Sequence, residues 1–282
     1  MKDVDFLIDP IIKNLLEDCC SNDPSKQIPA IMELKDLELE DIEIQETCAT
    51  LIELLHSPEN NVKELTVEVL GWIGDQEIET VGPALMKMLV DPENLVRAEA
   101  VDSLSLLSYK KAKDAISFIL CNDPDWIVRA SAAEALSHIA DVGDATIFEA
   151  LQLALEDSYE PVRSYAAFSI GVLGTLEMIP TLPKYLESED SLDTKAAILA
   201  AQYILSEPNA LFTLLKLVEK ADQQLGGVIL NIFGDLAYRK IPRRLAEDSA
   251  TICKSLVRIG QDFFVERYHA EQVIAQLKNL PT

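Results

Sequence analysis

The sequence predicts an all-α protein folded as a right-handed α-solenoid of about seven to eight stacked antiparallel helix pairs. Three observations favour this fold: a phrase that recurs every 32 to 34 residues, two helical patterns in each period, and only 10 glycines in 282 residues. Periods of this length are typical of stacked helical repeats. A hydrophobic content of 49% is sufficient for a sizeable core.

The recurring phrase joins an acidic turn to a Val-Arg pair. Two clear copies are DPENLVRAEAVDSLSLLS and DPDWIVRASAAEALSHIAD. The anchor residues of five copies are Val62, Val96, Val128, Val162 and Thr194, with separations of 34, 32, 34 and 32 residues. A looser copy places Ile28 in the anchor position, 34 residues before Val62.

Each period contains two helical patterns. The first is an apolar run such as VGPALMKMLV, and the second begins at Val-Arg with apolar residues near i, i+4, i+7, i+8 and i+11. The Pro or Asp between them ends one helix and begins the next. Because neither helix can bury its apolar face alone, successive pairs are expected to stack, and small residues such as Ala132 and Ala166 would let the helices approach closely.

The whole chain, 1–282, is predicted to form a single repeat domain. We expect an N-terminal capping region at 1–56, regular repeats at 57–205 and degenerate C-terminal repeats at 206–282, because the ends of a stack are atypical.

The pattern Asp/Ser-Pro-x-x-x-Val-Arg/Lys-x-x-Ala-x-x-x-Leu resembles the HEAT repeat, in the short variety named after phycobilisome lyases. The resemblance is clearest from Ser57 to Gly174. It implies a HEAT-like, armadillo-type superhelix with a ladder of Asp and Arg side chains between repeats that also caps the helix starts. The residues concerned are Asp91, Asp123, Asp157, Arg97, Arg129 and Arg163. The ladder is expected to be weaker where Ser57 occurs with Lys63, and Glu189 with Lys195.

The net charge of −24 narrows the class of partner. An acidic chain repels the phosphates of nucleic acids, so a nucleic-acid partner is not predicted. A basic protein partner would instead be attracted, and its association accelerated. The sequence does not predict an oligomeric state.

Compartment is inferred from the cysteines and the apolar segments. The five cysteines form no CxxC pair, which favours a reducing, cytoplasmic environment. The N-terminus lacks the pattern of a signal peptide. The longest uncharged stretch, Ser164 to Leu176, is too short to span a bilayer, so no membrane association is predicted.

Motifs of catalysis are not found in the sequence. None of the three histidines begins an HExxH motif, and none precedes Glu as in the iron-binding dipeptides of HEAT-like deoxyhypusine hydroxylases. No P-loop, GxGxxG or GxSxG occurs. The sequence therefore predicts no catalytic residue, no metal site and no cofactor.

A binding surface is predicted on the second helix of each pair. Positions three, six and ten after the anchor share a stripe, which should line a concave groove. This groove would be acidic at one end and aromatic further along, and an exposed apolar row favours partner binding. The predicted partner-binding residues are Glu68, Trp72, Glu99, Asp102, Leu106, Glu134, His138, Tyr165 and Phe168.

Three functions fit these features. The first is a non-enzymatic scaffold, adaptor or inhibitor that holds a basic protein in the groove. A second, implied by the repeat type, is a subunit of a phycobilin lyase, in which Glu68, Asp102 or Glu134 would face the pyrrole nitrogens of an open-chain tetrapyrrole. A third is an immunity protein that neutralises a basic toxin or nuclease.

Overall fold

The regular elements of the structure, a computed structural model, are helices throughout the described residues, 8–207 and 209–281, where nothing is said of the side chains of 177–179. The N-terminal heptapeptide, on which the signal-peptide prediction partly rests, lies outside these residues. The first eight helices are α1 (Pro10–Cys19), α2 (Pro24–Asp36), α3 (Asp41–Leu54), α4 (Asn60–Ile73), α5 (Ile78–Met88), α6 (Asn94–Leu106), α7 (Lys113–Asn122) and α8 (Trp126–Ile139). The next eight are α9 (Ala145–Ala154), α10 (Glu160–Leu173), α11 (Leu182–Ser188), α12 (Leu192–Ile204), α13 (Ala210–Leu217), α14 (Gln223–Arg239), α15 (Leu245–Asp262) and α16 (Arg267–Lys278). Short 3₁₀ helices lie at Lys110–Ala112, Leu176–Thr181 and Val218–Lys220.

The chain divides into two units, of which the first ends at Ala140 and the second begins at Asp141. Helices α1 to α8 belong to the first unit and α9 to α16 to the second, so that each unit contains four consecutive helix pairs. The predicted all-α solenoid of helix pairs is confirmed.

The second helices of the first unit pack closely against one another. Helix α4 contacts α2 and α6, and α6 contacts α8, whereas the first helices α3 and α5 barely touch. The second helices therefore form the closely packed inner side of this stack. In the second unit, α10, α12, α14 and α16 follow one another in the same way, while α13 packs against α12 and α15 against α16.

Small residues permit this close packing. A Cβ atom added to Gly71 on α4 would lie 2.7 Å from the Cβ of Ser103 on α6. The hydroxyl of Ser103 donates a hydrogen bond of 2.9 Å to the Val67 carbonyl, so its polar atom is satisfied inside the interface. In the second unit, a Cβ on Gly171 would lie 2.5 Å from the Cα of Ala201.

The anchor residues form the buried flank of each second helix. The side chains of all five regular anchors are buried, namely Val62, Val96, Val128, Val162 and Thr194. Burying one such valine stabilises the fold by about 1.5–3 kcal/mol relative to an exposed position. The looser anchor, Ile28, is only half-buried, because the buried face of α2 consists instead of Gln27, Ala30, Ile31 and Leu34.

Arginine forks join the turns of successive repeats. Arg97 donates from Nε and Nη2 to the two carboxylate oxygens of Asp123, both at 2.8 Å, and from Nη1 to the carbonyl of Asp91 at 2.9 Å. Arg163 binds Glu189 in the same way, at 2.8 and 2.9 Å. The ladder implied by the resemblance is thus present at these two positions, where each arginine pairs with the acid of the following repeat.

Two expectations about the ladder need correction. Glu189 was expected to weaken its rung, but its longer side chain still presents both oxygens to Arg163. The turn acids do not serve as N-caps: Asp123 accepts from the Asp125 amide at 2.9 Å and closes the turn, while Asp125 itself is the N-cap of α8. Lys63 makes the expected simpler contact, a single bond of 2.6 Å to Asp91.

The forks also hold their carboxylates in the charged form. Desolvation alone would raise the pKa of Asp123, but hydrogen bonds from Arg97 and the Asp125 amide outweigh it and lower that pKa. A lowered folded-state pKa contributes stability above the unfolded-state pKa and loses it as the pH falls through the folded value. These rungs therefore stabilise the fold at neutral pH and weaken in acid.

We expect the Gly71→Ala variant to lose about 1–3 kcal/mol of unfolding free energy, because the new methyl group must push α4 and α6 apart. This loss exceeds the gain in helix propensity, which is about 1 kcal/mol or less. Gly227→Ala on α14 is the control, since its Cβ would lie 3.7 Å from the nearest atoms. Urea denaturation should show that Gly227→Ala is neutral or stabilising; equal behaviour of the two variants would contradict the packing described here.

Arg97→Lys should lower the unfolding free energy by about 1–3 kcal/mol, because lysine keeps the charge but cannot form the fork with the nearly buried Asp123. Arg258→Lys is the matched control, since Arg258 pairs with Asp262 within one helix at the surface. Thermal unfolding should separate the two variants. A loss no larger for Arg97→Lys than for Arg258→Lys would show that the fork is not needed.

Candidate functional site

The first unit carries seven of the predicted partner-binding residues on three consecutive second helices. We call this surface the inner face. It consists of Glu68 and Trp72 on α4, Glu99, Asp102 and Leu106 on α6, and Glu134 and His138 on α8. Because α6 packs between α4 and α8, the helices bring these residues onto neighbouring stripes.

Apolar and acidic side chains are exposed together on the inner face. The side chain of Trp72 is 58% exposed and that of Leu106 is 51% exposed. Asp102, one turn before Leu106, is also exposed, and Glu99 is half-buried beside it. A large exposed indole next to an exposed leucine is a feature of surfaces that bind partners.

Tyr165 and Phe168 belong to the second unit, on α10. Tyr165 is 40% exposed. Phe168 was expected to be an open contact, but it is half-buried and packs against the apolar core of that unit, which includes Tyr203 and Phe233. Its ring is therefore in part a packing element.

Lys35 on α2 is a site residue that the sequence analysis missed. Its ammonium group lies 2.5 Å from Oε1 of Glu68 and 5.1 Å from the ring centroid of Trp72. Repeat spacing gave the wrong register in α2, where it placed Leu34 on the binding stripe. Leu34 is fully buried, and its neighbour Lys35 reaches the inner face instead. The alternating burial of α2 could have revealed this shift, but the 34-residue spacing could not.

Crowded carboxylates dominate the electrostatics of the inner face. Desolvation, together with the negative charges of Asp102, Glu68 and Glu64, raises the pKa of Glu99 to about 7, while Lys35 opposes this shift. Desolvation likewise raises the pKa of Asp102 to about 6, although the Ser131 hydroxyl donates to it at 3.1 Å. Asp102 reaches water, yet the helices on either side displace much of its surrounding solvent. A cation bound here would favour the charged forms of both groups.

The chemistry of the site is that of cation binding next to an apolar surface. Among the described residues, no group of three or more His, Cys, Asp or Glu side chains is arranged to hold a metal ion. Burial raises the pKa of the Cys19 and Cys48 thiols to about 12, which makes them poor nucleophiles at neutral pH. In the described part of the chain, no helix has the length and apolarity needed to cross a membrane.

A second cleft lies between the first helices α5 and α7, on the outer side of the first unit. Its volume is about 530 Å³, and Val90 and Phe118 at its edge are 83% and 69% exposed. The fork between Arg97 and Asp123 contributes to its lining. Phe118 therefore offers an exposed aromatic residue, away from the inner face, with which Trp72 can be compared.

We expect the double variant Glu99→Gln, Asp102→Asn to be more stable than the wild type at pH 8, by about 1–4 °C in Tm, because it removes crowded charges. A folded-state pKa above the unfolded value means that stability is lost as the pH rises through the folded value. The difference in Tm should therefore shrink between pH 8 and pH 5. The control is Glu46→Gln, Glu53→Gln, which neutralises two exposed acids on α3. A difference in Tm that stays constant with pH, or a less stable variant at pH 8, would contradict this electrostatic description.

Solved structures similar to this one share the helical-repeat fold. One is the complex of CpcE and CpcF of phycocyanin lyase from Nostoc sp. PCC7120, at 20% identity and a TM-score of 0.59, covering 87% of this chain and 96% of that chain. Another is the Escherichia coli protein YibA, at 18% identity and a TM-score of 0.52, covering 99% of this chain and 98% of that chain. At these identities the likeness concerns the fold alone. No curated protein sequence matches this chain significantly.

A family model for HEAT repeats matches residues 8–105 and 79–151, which together extend over 144 of the 282 residues. This match agrees with the eight helix pairs, the buried anchors and the arginine forks between repeats. The chain belongs to the HEAT repeat family.

Proposed function

We propose that the chain is a non-enzymatic adaptor whose first unit holds a basic segment of a partner protein on its inner face. The observation that carries the proposal is the exposure of Trp72 and Leu106 beside the crowded carboxylates of Glu99 and Asp102. Arginine and lysine side chains have an apolar stem and a charged end, so they match such a surface.

Electrostatics supports a basic partner in two ways. The net charge of −24 attracts cationic proteins over a long range and accelerates their association. At short range, a cation relieves the repulsion among Glu64, Glu68, Glu99 and Asp102, so part of the binding free energy comes from strain already present in the free protein.

A protein partner also fits what is known of a similar fold. The Nostoc structure is a complex of two chains, CpcE and CpcF, so a stack of this kind is seen there with a protein partner. The lyase-type alternative would require this chain to bind an open-chain tetrapyrrole. Titration with bilin and visible absorbance spectroscopy tests it: a chromophore shift abolished by Asp102→Asn would favour that alternative over the adaptor.

The direct test uses a fluorescein-labelled peptide of alternating Arg and Leu and its counterpart with Glu in place of Arg. Fluorescence anisotropy should show binding of the first peptide only, weakened by added salt. Trp72→Ala, and separately the pair Glu99→Gln, Asp102→Asn, should each raise Kd by about tenfold, which corresponds to 1.4 kcal/mol.

Two control variants make this test specific to the inner face. Phe118→Ala removes an exposed aromatic side chain from the outer side, and Glu46→Gln, Glu53→Gln removes two charges from α3. Neither should raise Kd as much as the inner-face variants do. Equal effects of control and inner-face variants, or no binding of the Arg-Leu peptide, would refute the proposal.

A further inference from the structure

We propose that Trp72 and Glu68 form a binding position for one Arg or Lys side chain of the partner, and that Lys35 occupies this position in the free protein as an internal competitor. This inference rests on the proposed function, because it names the group of the basic partner that the inner face selects. It assigns to Lys35 a regulatory role that repeat spacing does not reveal.

The geometry at Lys35 shows which chemical group the position accepts. The ammonium lies between a carboxylate oxygen, 2.5 Å away on Glu68, and the face of an indole ring, whose centroid is 5.1 Å away on Trp72. A carboxylate paired with an aromatic face attracts cations by two independent mechanisms, Coulomb attraction and the quadrupole of the ring. Trp72 remains 58% exposed, so most of its surface is still available to a second group.

Lys35 is held weakly enough to leave. Its side chain and that of Glu68 are both about one-third exposed, so solvent screens the ion pair. An ion pair of this kind and a cation–π contact near the surface each change an equilibrium constant by roughly fivefold or less. Lys35 is also attached to α2, near its end at Asp36, so the side chain can swing away without moving a helix.

The surrounding charges favour replacement by a larger cation. The groups facing Lys35 and its neighbours are Glu64 and Glu68 on α4 and Glu99 and Asp102 on α6. A single ammonium leaves most of this negative charge uncompensated. An arginine of the partner can stack its planar guanidinium on the indole and direct several N–H groups to different carboxylates at once, which lysine cannot do.

The alternative interpretation is that Lys35 only fastens α2 to α4. The two interpretations differ in the sign of one effect. If Lys35 competes with the partner, removing it should strengthen binding. If it only supports the inner face, removing it should weaken binding or leave it unchanged.

The experiment measures the Kd of the labelled Arg-Leu peptide for Lys35→Ala. We expect the affinity to rise by about three- to tenfold, and to rise by much less when Trp72→Ala is also present. The charge control is Lys26→Ala, which removes one exposed positive charge from the same helix. If Lys35→Ala proves unstable, Lys35→Gln removes the charge while keeping a side chain of similar polarity and reach.

A spectroscopic readout locates the effect. The chain has two tryptophans, so the Trp126→Phe background leaves Trp72 as the sole fluorophore. Titration with N-acetyl-arginine amide should change Trp72 emission at lower concentrations in Lys35→Ala than in the parent.

Three outcomes would overturn the inference: unchanged or weaker peptide binding in Lys35→Ala, an equal gain in Lys26→Ala, or a gain that persists fully with Trp72→Ala. In each case the inner face can still bind the basic peptide, so the proposed function survives. If the Arg-Leu peptide binds neither the parent nor any variant, the proposed function itself fails, and this inference fails with it.

Discussion

The close packing of one second helix on the next is the constraint on which the rest of the structure depends. Each helix has an apolar flank that it cannot bury alone, and the neighbouring repeat supplies the cover. Gly71 and Ser103 show how near the helices come, since there is no room for one methyl group between them. The arginine fork from Arg97 to Asp123 then fixes the turns of adjacent repeats at the edge of the same interface.

This packing also creates the candidate site. Helices that approach so closely bring Glu68, Glu99 and Asp102 together, although carboxylates at such positions repel one another. A fold selected only for stability would separate or neutralise these charges. Their presence beside an exposed Trp72 is consistent with a surface on which a basic partner provides the missing positive charge, and Lys35 provides part of that charge while the partner is absent.

The sequence was sufficient for features that recur in every repeat. Val96 and Val128 are buried because the same helical position meets the same kind of neighbour each time, so periodicity alone identifies them. It was insufficient where a residue departs from the average repeat. Lys35 lies in an end repeat whose register is shifted, and Phe168 is half-buried because the core of the second unit reaches it. The strength of the Glu189 rung likewise depends on side-chain reach, which a residue pattern does not contain.

The claim that the inner face is the binding surface is tested most directly by the two tryptophan indole N–H signals in a ¹H–¹⁵N NMR spectrum. Trp72 lies on the inner face, and Trp126 is the half-buried first residue of α8. Comparison with Trp72→Phe assigns each signal. On addition of the Arg-Leu peptide, we predict that the Trp72 signal shifts progressively and saturably while that of Trp126 moves far less. A saturating shift confined to Trp126, or bound peptide with an unmoved Trp72 signal, would contradict the account.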